Sequence, residues 1–340
     1  MSAVSAALIF VVSATSGWAG PPSRNSVSAN STYIKVSGVA YVDARVAFAR
    51  LGMKAAWVER GKVMRFQSAT DRIDIEADKR DSSLNGLRVL MGEPAVFQGS
   101  SLFISRIDAD RLFLPILRPS AVATPPAPAL RVIVIDPGHG GQDTGTQNKP
   151  LKLDEKVFAL DVAQRLRVLL AKQGYKVVMT RTDDRFIPLQ QRADIANKAG
   201  ADLFISIHFN AVGGAPTVRG SETYAMTPQY QHSTGSAKAD PSDKVANPGN
   251  ANDPWNTLLA YHIHNQVLAK LGSEDRGMKR ARFAVLRLVN SPAVLVEAGY
   301  LSNDAEARKI ASSAYRADMA EAIAQGVRAY AQAITTVKTK

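Results

Sequence analysis

From Arg131 onwards the chain alternates short apolar, β-branched runs with longer stretches in which apolar residues recur at helical spacing. The runs RVIVID, YKVVMTR, DLFISIHF, RGSETYAM, ARFAVLR and PAVLVEAG predict strands, and residues 153–173, 189–199, 254–271, 305–311 and 313–335 predict helices. In the first helix Phe158, Val162, Leu166 and Leu169 fall on one face, and Gly174 ends it. Strands alternating with amphipathic helices predict an α/β domain, a largely parallel twisted sheet flanked by helices, over 131–335. Upstream the pattern changes. A helix-spaced segment, Val42 to Leu51, is followed by short strand-like runs at AAWVER, KVMRFQ, RIDIEA, RVLM and SLFISR, with Gly61, Asp71, Asp81 to Gly86 and Gly99 between them. This predicts a small α+β module of hairpins over 33–118. The Pro/Ala stretch AVATPPAPAL makes 119–130 an extended linker between the two parts.

Two segments fall outside these patterns. The apolar run from Ala6 to Ala14 is too short to span a bilayer, and Gly17-Trp18-Ala19 offers a small-x-small cleavage site, so 1–19 reads as a signal peptide and 20–32 as a polar spacer. Export to the periplasm or cell envelope follows, with no stable membrane span after cleavage. The missing basic residue before Arg24 departs from the usual pattern. The second segment, TPQYQHSTGSAKADPSDKVANPGNAND, is long for a plain connection, and its place after a strand makes it a candidate lid or substrate-facing loop.

A net charge of +12 implies a surface field that attracts anionic polymers. The basic residues are scattered and no helix-turn-helix or zinc-finger spacing is present, which argues against a nucleic-acid partner and leaves acidic lipid head groups and the anionic bacterial wall. There is no cysteine, so disulfides, thiolate metal sites and cysteine nucleophiles are excluded, and any metal site must use His and carboxylate groups.

The candidate chemistry lies where strands stop. His139 follows strand RVIVID in a turn rich in Pro and Gly, His208 ends DLFISIH, and Glu297 ends AVLVE. In open α/β sheets the ligand crevice lies beyond the carboxyl ends of the strands, so these three project toward one edge. A third ligand beside the two histidines can come from Asp143, Asp154 or Glu155, which lie between the first strand and its helix. Two histidines and a glutamate make a three-ligand zinc site with an open position for water, and leave Glu297 as the base that takes a proton from that water. Arg181, Arg192, Asn210 and Glu222 are weaker candidates for binding substrate. His232 reads as exposed in the long loop, and His262 and His264 point to different faces of their helix.

Seven blocks carry a resemblance across 131–331: IDPGHGGQDTGT at 135–146, EK at 155–156, TRTDD with LQQRADIAN at 180–197, SIHFNA at 206–211, GSETY at 220–224, DRGMKRARFAVLR at 275–287 and VEAGYLSN at 296–303. The sequence resembles the zinc-dependent N-acetylmuramoyl-L-alanine amidases, which cleave peptidoglycan between the lactyl group and the stem peptide. The resemblance implies zinc ligands at His139, Glu155 and His208 and a catalytic glutamate at Glu297. Phe209 and the Asn148-Lys149-Pro150 turn depart from the family pattern, and the turn bears on how Glu155 is presented. Two other readings stand beside the amidase: a catalytically silent peptidoglycan-binding protein, and a zinc peptidase acting on stem peptides. Residues 83–117 resemble the small N-terminal module first described in copper amine oxidases, through the Leu84-Asn85-Gly86 turn, Glu93-Pro94-Ala95-Val96 and the Gln98-Gly99 turn. That half has no histidine, so no copper is implied; wall binding or a spacer role is.

Overall fold

The structure, a computed structural model, describes residues 32–338 except 124–128, 214, 216 and 237. The expected signal peptide, nearly all of the spacer and the middle of the linker lie outside the described residues. Among those described, no helix is long and apolar enough to cross a membrane.

The first part begins with β1 (Tyr33–Val36) and β2 (Val39–Asp43), after which the Asp43 side chain accepts from Arg45 N and starts helix α1 (Ala44–Ala49). A meander follows: β3 (Lys54–Glu59), β4 (Val63–Gln67), β5 (Arg72–Glu76), β6 (Asp81–Leu84) and β7 (Leu87–Leu90). Asn85 and Gly86 both have positive φ, 53° and 89°, as a two-residue hairpin between β6 and β7 requires. Strands β8 (Val96–Gln98) and β9 (Ser101–Ser105) pair with β2 and β1 in the order β1-β2-β9-β8, and α2 (Arg106–Asp108) and α3 (Leu114–Leu117) lead out.

The second part has strands β10 (Val132–Pro137), the short pair β11 (Gln147–Asn148) and β12 (Leu153–Asp154), β13 (Lys176–Met179), β14 (Leu203–Asn210), β15 (Ser221–Met226), β16 (Asp275–Ala281) and β17 (Ala293–Tyr300). Its helices are α4 (Glu155–Lys172), α5 (Leu189–Lys198), α6 (Asp253–Leu271), α7 (Ala284–Arg287), α8 (Asp304–Ala311) and α9 (Ser313–Lys338). The sheet runs β13-β10-β14-β17-β15-β16 and is parallel except where β15 meets β17. Alternation decides its faces. Ile133, Ile135, Ile205, Ile207, Val294 and Val296 enter the large core beneath α4, α6 and α9, whereas Val134, Phe204, Ala293 and Leu295 enter a smaller one covered by α5 and α7.

The linker separates the two parts in sequence; tertiary structure joins them. Strand β16 pairs in parallel with β7 at Met278↔Val89, and the β7-to-β3 meander extends the sheet to 11 strands. Met64, Phe66, Ile73 and Ile75 from the meander share one core cluster with Leu258, Ile263 and Ile323.

Two expectations are corrected. ARFAVLR is not a strand: β16 is DRGMKRA, and only Ala281 belongs to both. Strand β16 stops at the level where its partner stops, Met226↔Ala281, so the apolar residues beyond it turn into α7 and bury Val285 and Leu286 in the smaller core. The long loop is not placed as a lid. Because β15 runs antiparallel to β17, Glu222 lies beside Glu297 while Ala225 lies beside Val294, so the loop after Met226 leaves the opposite end of the sheet from His208 and Glu297. It carries two 3-10 turns, Pro241–Lys244 and Pro248–Asn252, and is tied to the first part by Arg80, whose Nη1 donates to Thr234 O at 3.2 Å and Ser236 O at 3.0 Å.

Candidate metal centre

Strand β10 ends in a turn that the sequence makes tight and the structure clamps. His139 sits there with φ of 61°, a conformation that L-residues seldom adopt. Arg181 and Arg192 hold the turn from beneath. Arg181 donates to Pro137 O at 3.0 Å and Gly138 O at 2.7 Å, and Arg192 donates to Pro137 O at 2.7 Å and His139 O at 2.6 Å. Arg192 also pairs with Asp136 at 2.8 Å, a buried carboxylate that accepts from Thr180 and Ser206 and so joins β10, β13, β14 and α5. Both arginines are 2% exposed. Both guanidiniums are thus engaged with the backbone of the histidine turn.

Glu155 arrives from the other direction, as the first residue of α4. The β11–β12 pair presents it, and Asn148 anchors that pair by donating to Leu301 O at 2.9 Å and Asp304 Oδ1 at 2.8 Å. The Glu155 carboxylate is fully used: Oε1 lies 2.9 Å from His208 Nδ1 and accepts from Phe209 N at 3.0 Å, and Oε2 lies 3.1 Å from His139 Nε2 and accepts from Thr146 N at 2.8 Å. The ligand atoms of His139, Glu155 and His208 all fall within 4.8 Å of one another. Of the three acids open as third ligand, Glu155 is the one that joins both histidines. Asp143 instead lies 3.0 Å from His139 Nδ1, leaving Nε2 to face the centre.

Burial works against charge on Glu155, yet the two imidazoles beside it hold its carboxyl well below the usual carboxylate range. Burial likewise opposes a charged His139, but the Glu155 and Asp143 carboxylates push it up to about 10. The buried Glu155 carboxylate makes an acidic seat between the two imidazole rings, which a divalent cation can take. The donor set of two nitrogens and one carboxylate fits a catalytic zinc geometry with an open position. Glycines supply the room. A Cβ on Gly138 would lie 2.3 Å from the His208 ring, and one on Gly145 would lie 2.5 Å from His139 and 2.6 Å from Glu155.

Glu297 is the cross-strand neighbour of both His208 on β14 and Glu222 on β15, and by parity shares their face. Its Oε2 is buried without a hydrogen-bond partner. Burial, then the Glu155 and Glu222 carboxylates, raise it well above the ordinary range. Glu222 is the opposite case, a 2% exposed carboxylate with many donors: Lys279 Nζ at 2.6 Å, Tyr300 Oη at 2.6 Å, Tyr224 Oη at 2.5 Å, Arg276 Nε at 3.2 Å and Asn210 Nδ2 at 3.3 Å. Asn210 and Glu222 thus belong to one network beside the edge that carries His208 and Glu297. Arg276, Lys279, Tyr224 and Tyr300 were not singled out from sequence. Two of them sit in DRGMKRA, whose strand character is visible only from its pairing with β15. Of the other histidines, His232 is not exposed: it is half-buried, 3.5 Å from Glu93. His264 is fully buried between Thr223 and Asp275.

Residues 133–329 match the family profile of N-acetylmuramoyl-L-alanine amidase. The chain is 36% identical over 220 residues to N-acetylmuramoyl-L-alanine amidase AmiC of Escherichia coli, covering 58% of this chain and 52% of that protein. It is 33% identical over 222 residues to AmiA of Escherichia coli, covering 59% and 76%. Among solved structures, N-acetylmuramoyl-L-alanine amidase AmiC2 of Nostoc punctiforme matches with a TM-score of 0.50 and 34% identity over 59% of this chain and 97% of that one. The chain spans about half the length of the AmiC protein it matches.

Proposed function

Because the chain belongs to the N-acetylmuramoyl-L-alanine amidase family, we propose that it hydrolyses the amide between the muramoyl lactyl group and the L-alanine of the peptidoglycan stem peptide. The observation that carries this reading is Glu297, whose Oε2 is buried with no hydrogen-bond partner, standing one strand from the His139–Glu155–His208 triangle. Those three residues would hold one zinc ion, which supplies a Lewis acid for the amide carbonyl and its attacking water. Glu297 takes the proton from the attacking water and returns it to the leaving amine. Burial and the Glu155 and Glu222 carboxylates raise its affinity for a proton, as suits a group that takes one from water and passes it on. Asp143 fixes the His139 ring, while Arg181 and Arg192 hold the backbone that carries it. Export of the chain through residues 1–19, action on the wall in the periplasm or cell envelope, and a role in wall remodelling belong to the same proposal.

Mass spectrometry of purified sacculi digested with the wild type and with Glu297→Ala tests it. Stem peptides with a free N-terminal alanine appear with the wild type and fall by at least about a hundredfold with the variant, the scale of a lost general base. Cut internal peptide bonds with intact lactyl-alanine linkages would make the protein a peptidase. No cleavage at all, with wall binding retained, would make it a silent binder.

A further inference from the structure

The amidase reading leaves the polar face beyond Glu297 unexplained. Two cations, Lys279 and Arg276, rise from β16 and end on the Glu222 carboxylate of β15. Their charge therefore lies over β15, one strand spacing of about 4.8 Å from the strand of Glu297. Glu222 is almost fully buried, whereas the Lys279 and Arg276 side chains are 18% and 28% exposed. One buried carboxylate thus anchors two cations that still reach the surface. Tyr224 and Tyr300 stiffen the pair through their bonds to Glu222, and Arg276 also stacks over the Tyr300 ring with 5.5 Å to its centroid. The exposed Glu274 lies 3.9 Å from Arg276 and is shared with Arg219 at 3.3 Å. Counting Lys279, Arg276 and Arg219 against Glu222 and Glu274, the patch keeps a positive charge.

Across the scissile bond the two sides of the substrate differ in charge: the glycan side is neutral and the peptide side carries carboxylates. The first of these belongs to the residue after L-alanine, a D-glutamate joined through its side chain, whose α-carboxyl is free in some walls and a carboxamide in others. Two extended residues span about 7 Å, enough to bring this group from Glu297 to the cations over β15. We propose that Arg276 and Lys279 form a carboxylate subsite that places the stem peptide on the β15–β16 side of Glu297 and selects D-glutamate over its amidated form. This rests on the amidase reading and adds the direction of the substrate and its preference.

The test compares kcat/KM on two synthetic substrates, N-acetylmuramoyl-L-alanyl-D-isoglutamate and its D-isoglutamine counterpart, for the wild type, Arg276→Gln and Lys279→Met. A charge-assisted contact predicts about a tenfold preference of the wild type for the acid. Each variant should lose that preference, the acid-to-amide ratio of kcat/KM falling toward one through a higher KM for the acid, whatever fall the two substrates share. A purely structural role would lower both substrates alike, and equal wild-type rates on the two would overturn the proposal without any variant. If neither substrate is cut, the amidase reading fails separately. The subsite is then judged by calorimetry of L-alanyl-D-isoglutamate and L-alanyl-D-isoglutamine on Glu297→Ala: about tenfold tighter binding of the acid upholds it, and equal binding overturns it.

Discussion

The two ends of strand β16 and its neighbours carry polar clusters built by opposite rules. At the end away from His208 and Glu297, the seam with the first part of the chain, two carboxylates are matched to arginines: Asp108 with Arg280, both buried, and Asp243 with Arg282 at 2.6 Å. Asp108 also accepts from Gly92 N and Ser105 Oγ, so the surplus at the seam lies with arginine nitrogens that lack partners. At the other end Glu222 takes Lys279 and Arg276, and two carboxylates are left without a Lys or Arg. Glu155 faces only imidazoles and backbone amides, and Glu297 has a buried oxygen with nothing to accept from. A matched ion pair resists change; an unmatched carboxylate is ready to take a cation or a proton. The charge pairing is what separates the two ends.

Arg280→Met attacks this contrast most strongly. It leaves Asp108 buried and unpaired, which costs about 3–5 kcal/mol of stability, read as a lower denaturation midpoint, while turnover per folded molecule holds. A variant as stable as the wild type would remove the seam from the account. Asp143→Ala should act in the reverse manner, with little change in stability but metal affinity weakened by about 10- to 100-fold, the scale for loss of a carboxylate that orients a ligating histidine; unchanged affinity in a chelator competition would mean the His139 ring is held by other contacts.

The smallest effect concerns pH. Burial, helped by the nearby Asp108 and opposed by Arg80 and Arg280, pushes Glu93 at the seam up to about 7 from an ordinary value of 4.5. Between those values the folded chain holds a proton that the unfolded chain has released, so this group makes stability fall as pH rises from 4.5 to about 7 and then level off. Glu93→Gln should flatten that part of a denaturation-midpoint profile. An unaltered slope would assign it to other groups, among them Asp253, which burial raises to about 6.

The site was legible because chemistry at a sheet edge leaves a local mark. A β-branched run that stops at His208 or Glu297, or at a glycine-rich turn around His139, announces both the strand and the exposed end. The surroundings were harder to read. Arg181 and Arg192 look like substrate contacts until their donors are found on the carbonyls of residues 137–139. FAVLR has the same apolar content whether strand or helical turn, and the end of β15 decides against the strand.

By itself the sequence determined the alternation of strands and helices, the edge to which His139, His208 and Glu297 project, and the short choice of acids for a third ligand, because each depends on residue type at short range. Tertiary structure alone decided that Glu155 bridges the two histidines, that the first part prolongs the catalytic sheet through β7 and β16, and that the long loop closes the seam rather than the site. Those outcomes depend on strand direction and register between segments far apart in the chain. Reversing one strand, as β15 is reversed against β17, carries the loop that follows it to the other end of the sheet.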